Sequence, residues 1–253
     1  GILNQKLNSD IEILLNEDAS TDNTLAICKE FADTYPDKIK LFIHHDKNKI
    51  YIDGKPKARF NSIFSYFNVK GKYLAICDGD DIWTDPYKLK KQIKVLEADD
   101  SYSFCFHKFS CLKNDEVISS NYGMEKDVNL YNILWKMPNK SSTTMFKSAN
   151  LPFKRGMVPD FFLETQVGDY PMVVMAGMKG KGKYIPEDMA LYRVHEMGVF
   201  SSLTKISQLK QAIDLSLLLL NRIHTLDWKA KLVLKVKILL LKVKVVTQKL
   251  KSI

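Results

Sequence analysis

No stretch of this 253-residue chain approaches the roughly 18–20 uninterrupted apolar residues of a membrane-spanning helix. Runs such as Leu217–Leu220 and Ile238–Leu241 are far too short for that role. A secretory signal is also absent, and the chain opens at Gly1 without a Met, so its start reads as processed, engineered or truncated. Cysteine is scarce. Cys28, Cys77, Cys105 and Cys111 show no CxxC spacing, which speaks against a zinc site or a disulfide framework and suits reduced thiols in a cytosolic protein. Internal repeats and low-complexity linkers are missing too, so residues 1–200 read as one unit.

Acids are missing from the C-terminal tail. From Lys229 to Ile253 eight Lys stand without a single Asp or Glu. Residues 1–228 hold 30 basic and 29 acidic groups, so all but +1 of the net charge of +9 belongs to the tail. A near-neutral body excludes a nucleic-acid footprint spread over the protein. What is present is ordinary for a globular chain: 45% apolar, 11% aromatic and 26% charged residues, enough to bury a sizeable core.

Local patterns give an α/β order. Ile11–Leu15 is a short apolar run with β-branched members, hence a buried strand. It runs into Asn16–Thr24, dense in turn and capping residues, with Asp22 or Asn23 placed to cap a helix bearing Leu25, Ile27, Cys28 and Phe31. Ile39–Ile43 is the next strand, completing a strand–helix–strand unit of the kind that builds parallel sheets. Ala58–Phe67 reads as a helix closed by Gly71, and Tyr73–Cys77 as a third strand. Asp85-Pro86 opens a helix, Tyr102–Phe109, Ser142–Phe146 and Met189–Val194 read as strands, and Gly168–Lys179 as a helix. Beyond Ser207 the pattern is helical, broken near Asp227-Trp228.

The strongest chemical signal is Asp78-Gly79-Asp80-Asp81, directly after a strand. Three carboxylates in four residues repel one another, and a hard divalent cation such as Mg²⁺ or Mn²⁺ would relieve that repulsion. Ligands of open α/β sheets bind beyond the carboxyl ends of strands, where this loop falls. A solvated turn with Asp81 or Asp85 capping the next helix is the competing reading. Glu17-Asp18 ends another strand of the same sheet, so both loops should open on one edge. Asp18 could accept hydrogen bonds from a base or a sugar there.

In order along the chain, these segments resemble family-2 glycosyltransferases. Ile11–Leu15 with Glu17-Asp18-Ala19-Ser20-Thr21-Asp22-Asn23-Thr24 resembles that family's strand and DDxSxDxT segment. Asn61, Gly71-Lys72-Tyr73 and Asp78-Gly79-Asp80-Asp81 are similar to its G-(E/K)-Y…D-x-D-D segment. Trp83-Thr84-Asp85-Pro86-Tyr87-Lys88-Leu89 is similar to a bacterial subgroup's W-x-D-P-x-K-L, and Gly168-Asp169-Tyr170-Pro171 to its GD(Y/W)P. Tyr192-Arg193-Val194-His195 and Gly198-Val199-Phe200-Ser201 resemble its YR(V/I)H…GVxS ending.

The resemblance, over roughly residues 3–202, implies a GT-A fold: a Rossmann-like, mostly parallel sheet flanked by helices. It divides the chain into a catalytic domain over residues 1–202 and a C-terminal helical, Lys-rich extension over residues 203–253. It implies inverting transfer of a sugar from a nucleotide diphosphate, UDP above all, to a glycan or lipid-linked acceptor in bacterial surface-polysaccharide synthesis. By resemblance Asp78 meets the ribose, Asp80 and His195 the metal, Asp18 the uracil, and Asp169 is the base. Arg59 is a further candidate to reach the nucleotide, and Arg193 either holds a phosphate or pairs with a structural acid. Taken locally, Asp169 reads equally as a helix cap and His195 as a satisfied strand-end histidine.

Two departures stand out. Gly1–Gln5 already matches the S-I-L-N-Q helix that follows the family's first strand, so that central strand is missing from this chain, and Glu17 replaces the commoner Asp, which should shift base contacts. The missing strand keeps a degenerate, non-catalytic binding module open as an alternative, beside a metal-dependent nucleotidyltransferase or a nucleotide-sugar hydrolase. In the tail, Lys alternates with Val, Ile and Leu, apolar residues lying on both flanks. Such a helix suits either the anionic inner face of a bacterial membrane or packing beside the catalytic domain.

Overall fold

A computed structural model describes residues 1–52, 55–57, 59–120, 122–153, 157–165, 167–194 and 203–250. Strand β1 (Ile13–Glu17), helix α1 (Thr24–Thr34) and strand β2 (Ile39–Ile43) form the expected unit, with β1 and β2 parallel from Ile13 opposite Ile39 to Glu17 opposite Ile43. At the start of α1 it is Asp22 whose carboxylate accepts the Thr24 N–H, at 2.9 Å, while Asn23 makes no side-chain cap. Strands β3 (Ile50–Ile52) and β4 (Lys55–Lys57) make a small antiparallel hairpin ahead of α2 (Arg59–Asn68). Helix α2 stops at Asn68, whose amide donates to the Phe64 carbonyl, so Gly71 lies past its end and does not cap it.

The main sheet is built from β5 (Tyr73–Ala75), β6 (Ile82–Trp83), β7 (Tyr102–Lys113), β8 (Glu116–Ser119), β9 (Met145–Lys147) and β10 (Lys181–Arg193). Its order is β5-β9-β7-β10-β6, with β8 also paired to β7. The class is the expected α/β GT-A type, with mixed strand directions. The two longest ladders, β1–β2 and β7–β10, are parallel, and the shorter ones are antiparallel. No ladder among the described residues joins β1 to β5.

Helices α3 (Lys88–Ala98), α4 (Leu130–Trp135), α5 (Phe161–Glu164), α6 (Asp169–Gly177), α7 (Lys205–Arg222) and α8 (Trp228–Leu250) complete the fold. Period-2 alternation along β7 explains how both faces of the sheet are covered. Phe104 and Phe106 join one buried cluster with Phe146, Ile133, Met172, Leu219 and Leu234. Cys105 and Phe109 point into the other, with Trp83, Leu89, Leu96, Met145 and Met189. At Gly182 an added Cβ would lie 2.2 Å from the Phe104 ring, so the bare backbone there is what lets that ring pack.

The C-terminal helices belong to this same core. Leu219, Ile223, Leu226, Ala230 and Leu234 are all buried in the first cluster. The break at Asp227 is real: its carboxylate accepts the Ala230 N–H at 2.7 Å and starts α8. Lys237 on α8 reaches in to donate to the Leu134 carbonyl at 2.9 Å and lies 3.1 Å from the Tyr170 hydroxyl. Burial pushes its pKa down to about 8. Fully burying a Leu such as Leu234 contributes roughly 1.5–3 kcal/mol, so this docking is substantial.

Candidate functional site

The Asp78–Asp81 loop joins β5 to β6 as a tight turn, closed by the Asp81 N–H donating to the Asp78 carbonyl at 3.1 Å. Asp78 accepts from the Ser141 hydroxyl at 2.7 Å. Burial raises the Asp78 carboxyl, and the charges of Asp169 and Asp80 add to it, while the Ser141 hydroxyl and the Lys140 ammonium oppose the rise. Asp81 is more deeply set, at 9% exposure. Its Oδ1 accepts the Arg193 N–H at 3.1 Å, and its Oδ2 is buried with no hydrogen-bond partner among the described residues. Burial, with the charges of Asp78 and Asp80, pushes this carboxyl up to about 6.

Asp169 opens α6, and its carboxylate accepts the Tyr170 N–H at 2.8 Å. That its charge is felt by Asp78 puts it on the same patch as the loop. Two phenols complete the surround. Tyr192 is pushed up to about 12 by burial and by the charges of Asp81, Asp80, Asp78 and Asp169. Tyr122 is likewise pushed up to about 12, by burial and then by Asp169 and Tyr192. The Lys140 ammonium lies over both rings, 4.2 Å from the Tyr192 centroid and 4.9 Å from that of Tyr122. The Lys140 ammonium therefore stands close to this group of carboxylates.

Arg193 ties the end of β10 to this loop. Its backbone N–H holds Asp81, and its Nε donates to the Asp80 carbonyl at 3.2 Å. The segment bearing Lys140 and Ser141 is fixed from behind. Trp83 Nε1 donates to the Ser142 carbonyl at 2.9 Å, and Gln92 Nε2 to the Thr143 carbonyl at 2.9 Å. Lys88, fully buried, donates to Gln92 Oε1 at 2.7 Å and sits 3.9 Å from the Trp83 ring centroid. Burial pushes Lys88 down to about 7.

A second cluster forms at the end of β1. Glu17 is buried and accepts the Ser20 N–H at 2.6 Å. Burial alone would raise its carboxyl, but hydrogen bonds from Ser20 and Ala19 bring it below the ordinary value. Glu17 thus clamps its own loop, in which Ala19 takes a left-handed φ of 52°. Asp18 is half-buried, and burial raises its carboxyl against the pull of Lys49, His44 and the Asn61 amide. His44 is held beneath by Asn16 Oδ1 at 2.9 Å and by the edges of Phe60 and Phe64.

The structure therefore brings together Asp78, Asp80, Asp169 and Arg193, while Asp18 lies in the loop that follows β1. His195 and the Gly198–Ser201 segment lie outside the described residues, as does the side chain of Arg59, whose backbone opens α2. Glu164, on α5, is paired with Arg222 at 2.8 Å. Lys140, Ser141 and Tyr122 are not singled out by sequence, where Lys140 and Ser141 merely precede the strand read over Ser142–Phe146. Among the described residues no three His, Cys, Asp or Glu side chains close on one point as a ready metal cage. The donor chemistry nonetheless suits Mg²⁺ or Mn²⁺: hard carboxylate oxygens that repel one another, with an orphaned buried oxygen on Asp81.

The model of the glycosyl transferase family 2 matches residues 1–157, and the chain belongs to that family. An uncharacterized protein of Mycobacterium tuberculosis is 27% identical over 205 residues, covering 80% of this chain and 55% of its own. The Escherichia coli UDP-Glc:alpha-D-GlcNAc-diphosphoundecaprenol beta-1,3-glucosyltransferase WfgD is 30% identical over 115 residues, covering 46% of this chain and 40% of its own. The crystal structure of Staphylococcus aureus TarS residues 1–349 superposes with a TM-score of 0.60 at 15% identity, covering 94% of this chain and 64% of that one. The chain spans about half the length, or less, of the curated relatives it matches.

Proposed function

We propose that this glycosyltransferase moves a sugar from a nucleotide diphosphate, with UDP as the nucleotide, onto a glycan or lipid-linked acceptor with inversion at the anomeric carbon. The observation that carries the reading is the shared electrostatic patch of Asp169 with Asp78, Asp80 and Asp81, formed beyond the sheet's edge from two distant segments. Asp169 takes the proton of the acceptor hydroxyl as it attacks, from its position at the first turn of α6. Asp78 faces the ribose, and Asp18, with Asn61 beside it, faces the base. Asp80, with His195, would hold Mg²⁺ or Mn²⁺, and such an ion supplies charge neutralisation to a departing diphosphate. Arg193 and Lys140 add positive charge on the same side.

The partial match to WfgD, whose name specifies a UDP-sugar and a polyprenyl-linked acceptor, supports this choice of donor and acceptor classes. The test is donor binding and product analysis with and without Mn²⁺ for the parent chain and Asp80→Ala. Loss of metal-dependent binding and of glycoside product is expected. Undiminished binding and turnover in the variant would sink the assignment, and release of free sugar without glycoside would turn the reading to hydrolysis.

A further inference from the structure

Helix α8 has two apolar faces, and only one of them is used by the fold. Ala230, Leu234 and Ile238 are buried against the core, and Lys237 is keyed into it through Leu134 and Tyr170. On the opposite side Trp228, Leu232, Leu239, Val243, Val246 and Leu250 are each more than half exposed. Their spacing of three, four and seven residues lines them along one outward stripe. Lys231, Lys235, Lys242 and Lys249 run along one border of that stripe, and Lys229 flanks the other. No acid occurs anywhere in the helix.

We propose that this stripe lies in the plane of an anionic lipid bilayer, at the boundary between headgroups and acyl chains. The proposal concerns a surface that the transfer reading does not use, so each can fail without the other. Length allows more than one arrangement: 23 residues at 1.5 Å per residue reach about 34 Å, enough to cross a bilayer. No helix among the described residues is apolar enough to do so, however, and the packed face of α8 is committed to the protein core. An in-plane helix with a row of Leu, Val and Trp between Lys borders is what remains. The lysines extend their alkyl stems along the apolar row and put their ammonium groups at the anionic headgroups.

Charge argues against a second copy as the occupant. Pairing two such stripes would set Lys border against Lys border with no carboxylate to intervene. An anionic surface meets every one of those charges with its opposite.

Deleting α8 would expose the core and test nothing, so the experiment keeps the full chain and alters only the outward face. Parent protein and the double variant Leu239→Glu with Val243→Glu are sedimented with phosphatidylcholine vesicles, with and without phosphatidylglycerol, at low and high salt. The parent is expected to bind the phosphatidylglycerol vesicles and to release in high salt. The double variant should bind at least about tenfold more weakly with an unchanged melting temperature. Trp228 is a built-in probe: on binding, its emission should shift to the blue and be quenched by brominated lipid, a change missing from Trp228→Phe. Equal binding of parent and double variant would overturn the proposal, as would no preference for phosphatidylglycerol. A monomer–dimer equilibrium in sedimentation velocity, abolished by the double variant and unaccompanied by vesicle binding, would assign the stripe to a second copy instead.

Discussion

The Lys140 ammonium lies 4.2 Å from the centroid of the Tyr192 ring and acts to lower the Asp78 carboxyl. It is the counterweight to a patch holding Asp78, Asp80, Asp81 and Asp169. Without it, an incoming diphosphate meets carboxylates with less to offset them. Lys140→Met is therefore expected to raise the donor KM by about ten- to a hundredfold, the range of a lost charge-assisted contact. Lys140→Arg should restore most of it. Donor titrations of both variants check this, and an unchanged KM for the Met variant would remove Lys140 from the site.

Asp169→Asn keeps the shape of the side chain and removes its capacity to take a proton. General-base contributions run to roughly 10²–10⁴-fold, so transfer should fall by that order. Donor affinity should stay within a few-fold, because the proposed donor contacts lie elsewhere. Single-turnover transfer and equilibrium donor binding separate the two effects. Parental transfer by Asp169→Asn would place the base elsewhere.

Lys88 gives a pH signature. Buried and pushed down to about 7, it is neutral in the folded protein through a range where the unfolded chain still carries it protonated. Between about pH 7 and the ordinary lysine value the unfolded state binds more protons, so stability rises with pH across that window. Lys88→Met should flatten that rise and stabilise the protein at pH 7, by roughly 1–4 kcal/mol. Lys237, pushed down to about 8, contributes a similar slope in both proteins and cancels in the comparison. Urea unfolding at a series of pH values reads the difference, and identical slopes would refute the assignment. The same variant should transfer sugar less well, since Gln92 loses the partner that helps it hold the Thr143 carbonyl.

Two glycines should answer differently to alanine. Gly168 precedes Asp169 at φ −95°, and an added Cβ would meet nothing within 4 Å. Gly168→Ala should leave stability within about 1 kcal/mol of the parent. At Gly182 the new methyl would press into the Phe104 ring, and Gly182→Ala should cost about 1–3 kcal/mol. Chemical denaturation of the pair tests both statements.

Much of this architecture is legible in the chain because the signals are local. The apolar run ending at Leu15, the caps around Asp22 and the Asp78–Asp81 cluster each announce themselves within a few residues. What sequence reading misses is made by distant segments meeting. Lys140 and Tyr122 acquire meaning only when their loops are folded against Tyr192 and Asp169. Glu17 resembles a ligand-facing acid, yet the short reach to the Ser20 N–H turns it inward. The tail misleads for a different reason: its two apolar stripes lie on opposite sides of one helix, so the pattern blurs until packing shows which stripe is taken.

The separation of the β1–β2 pair from the six-stranded sheet has a consequence for hydrogen exchange. A pair of strands tied to the rest only by side chains and neighbouring helices can open without breaking the main ladders. The buried apolar residues around it, Cys28, Ile39 and Ile63, stand at 7–9%, whereas Phe104, Phe106 and Leu134 stand at zero. Amides of Leu14–Glu17 should therefore exchange well before those of β7. The loop that carries Asp18 would then sit on a cooperative unit less protected than the main sheet, and a bound nucleotide would register as slowed exchange there.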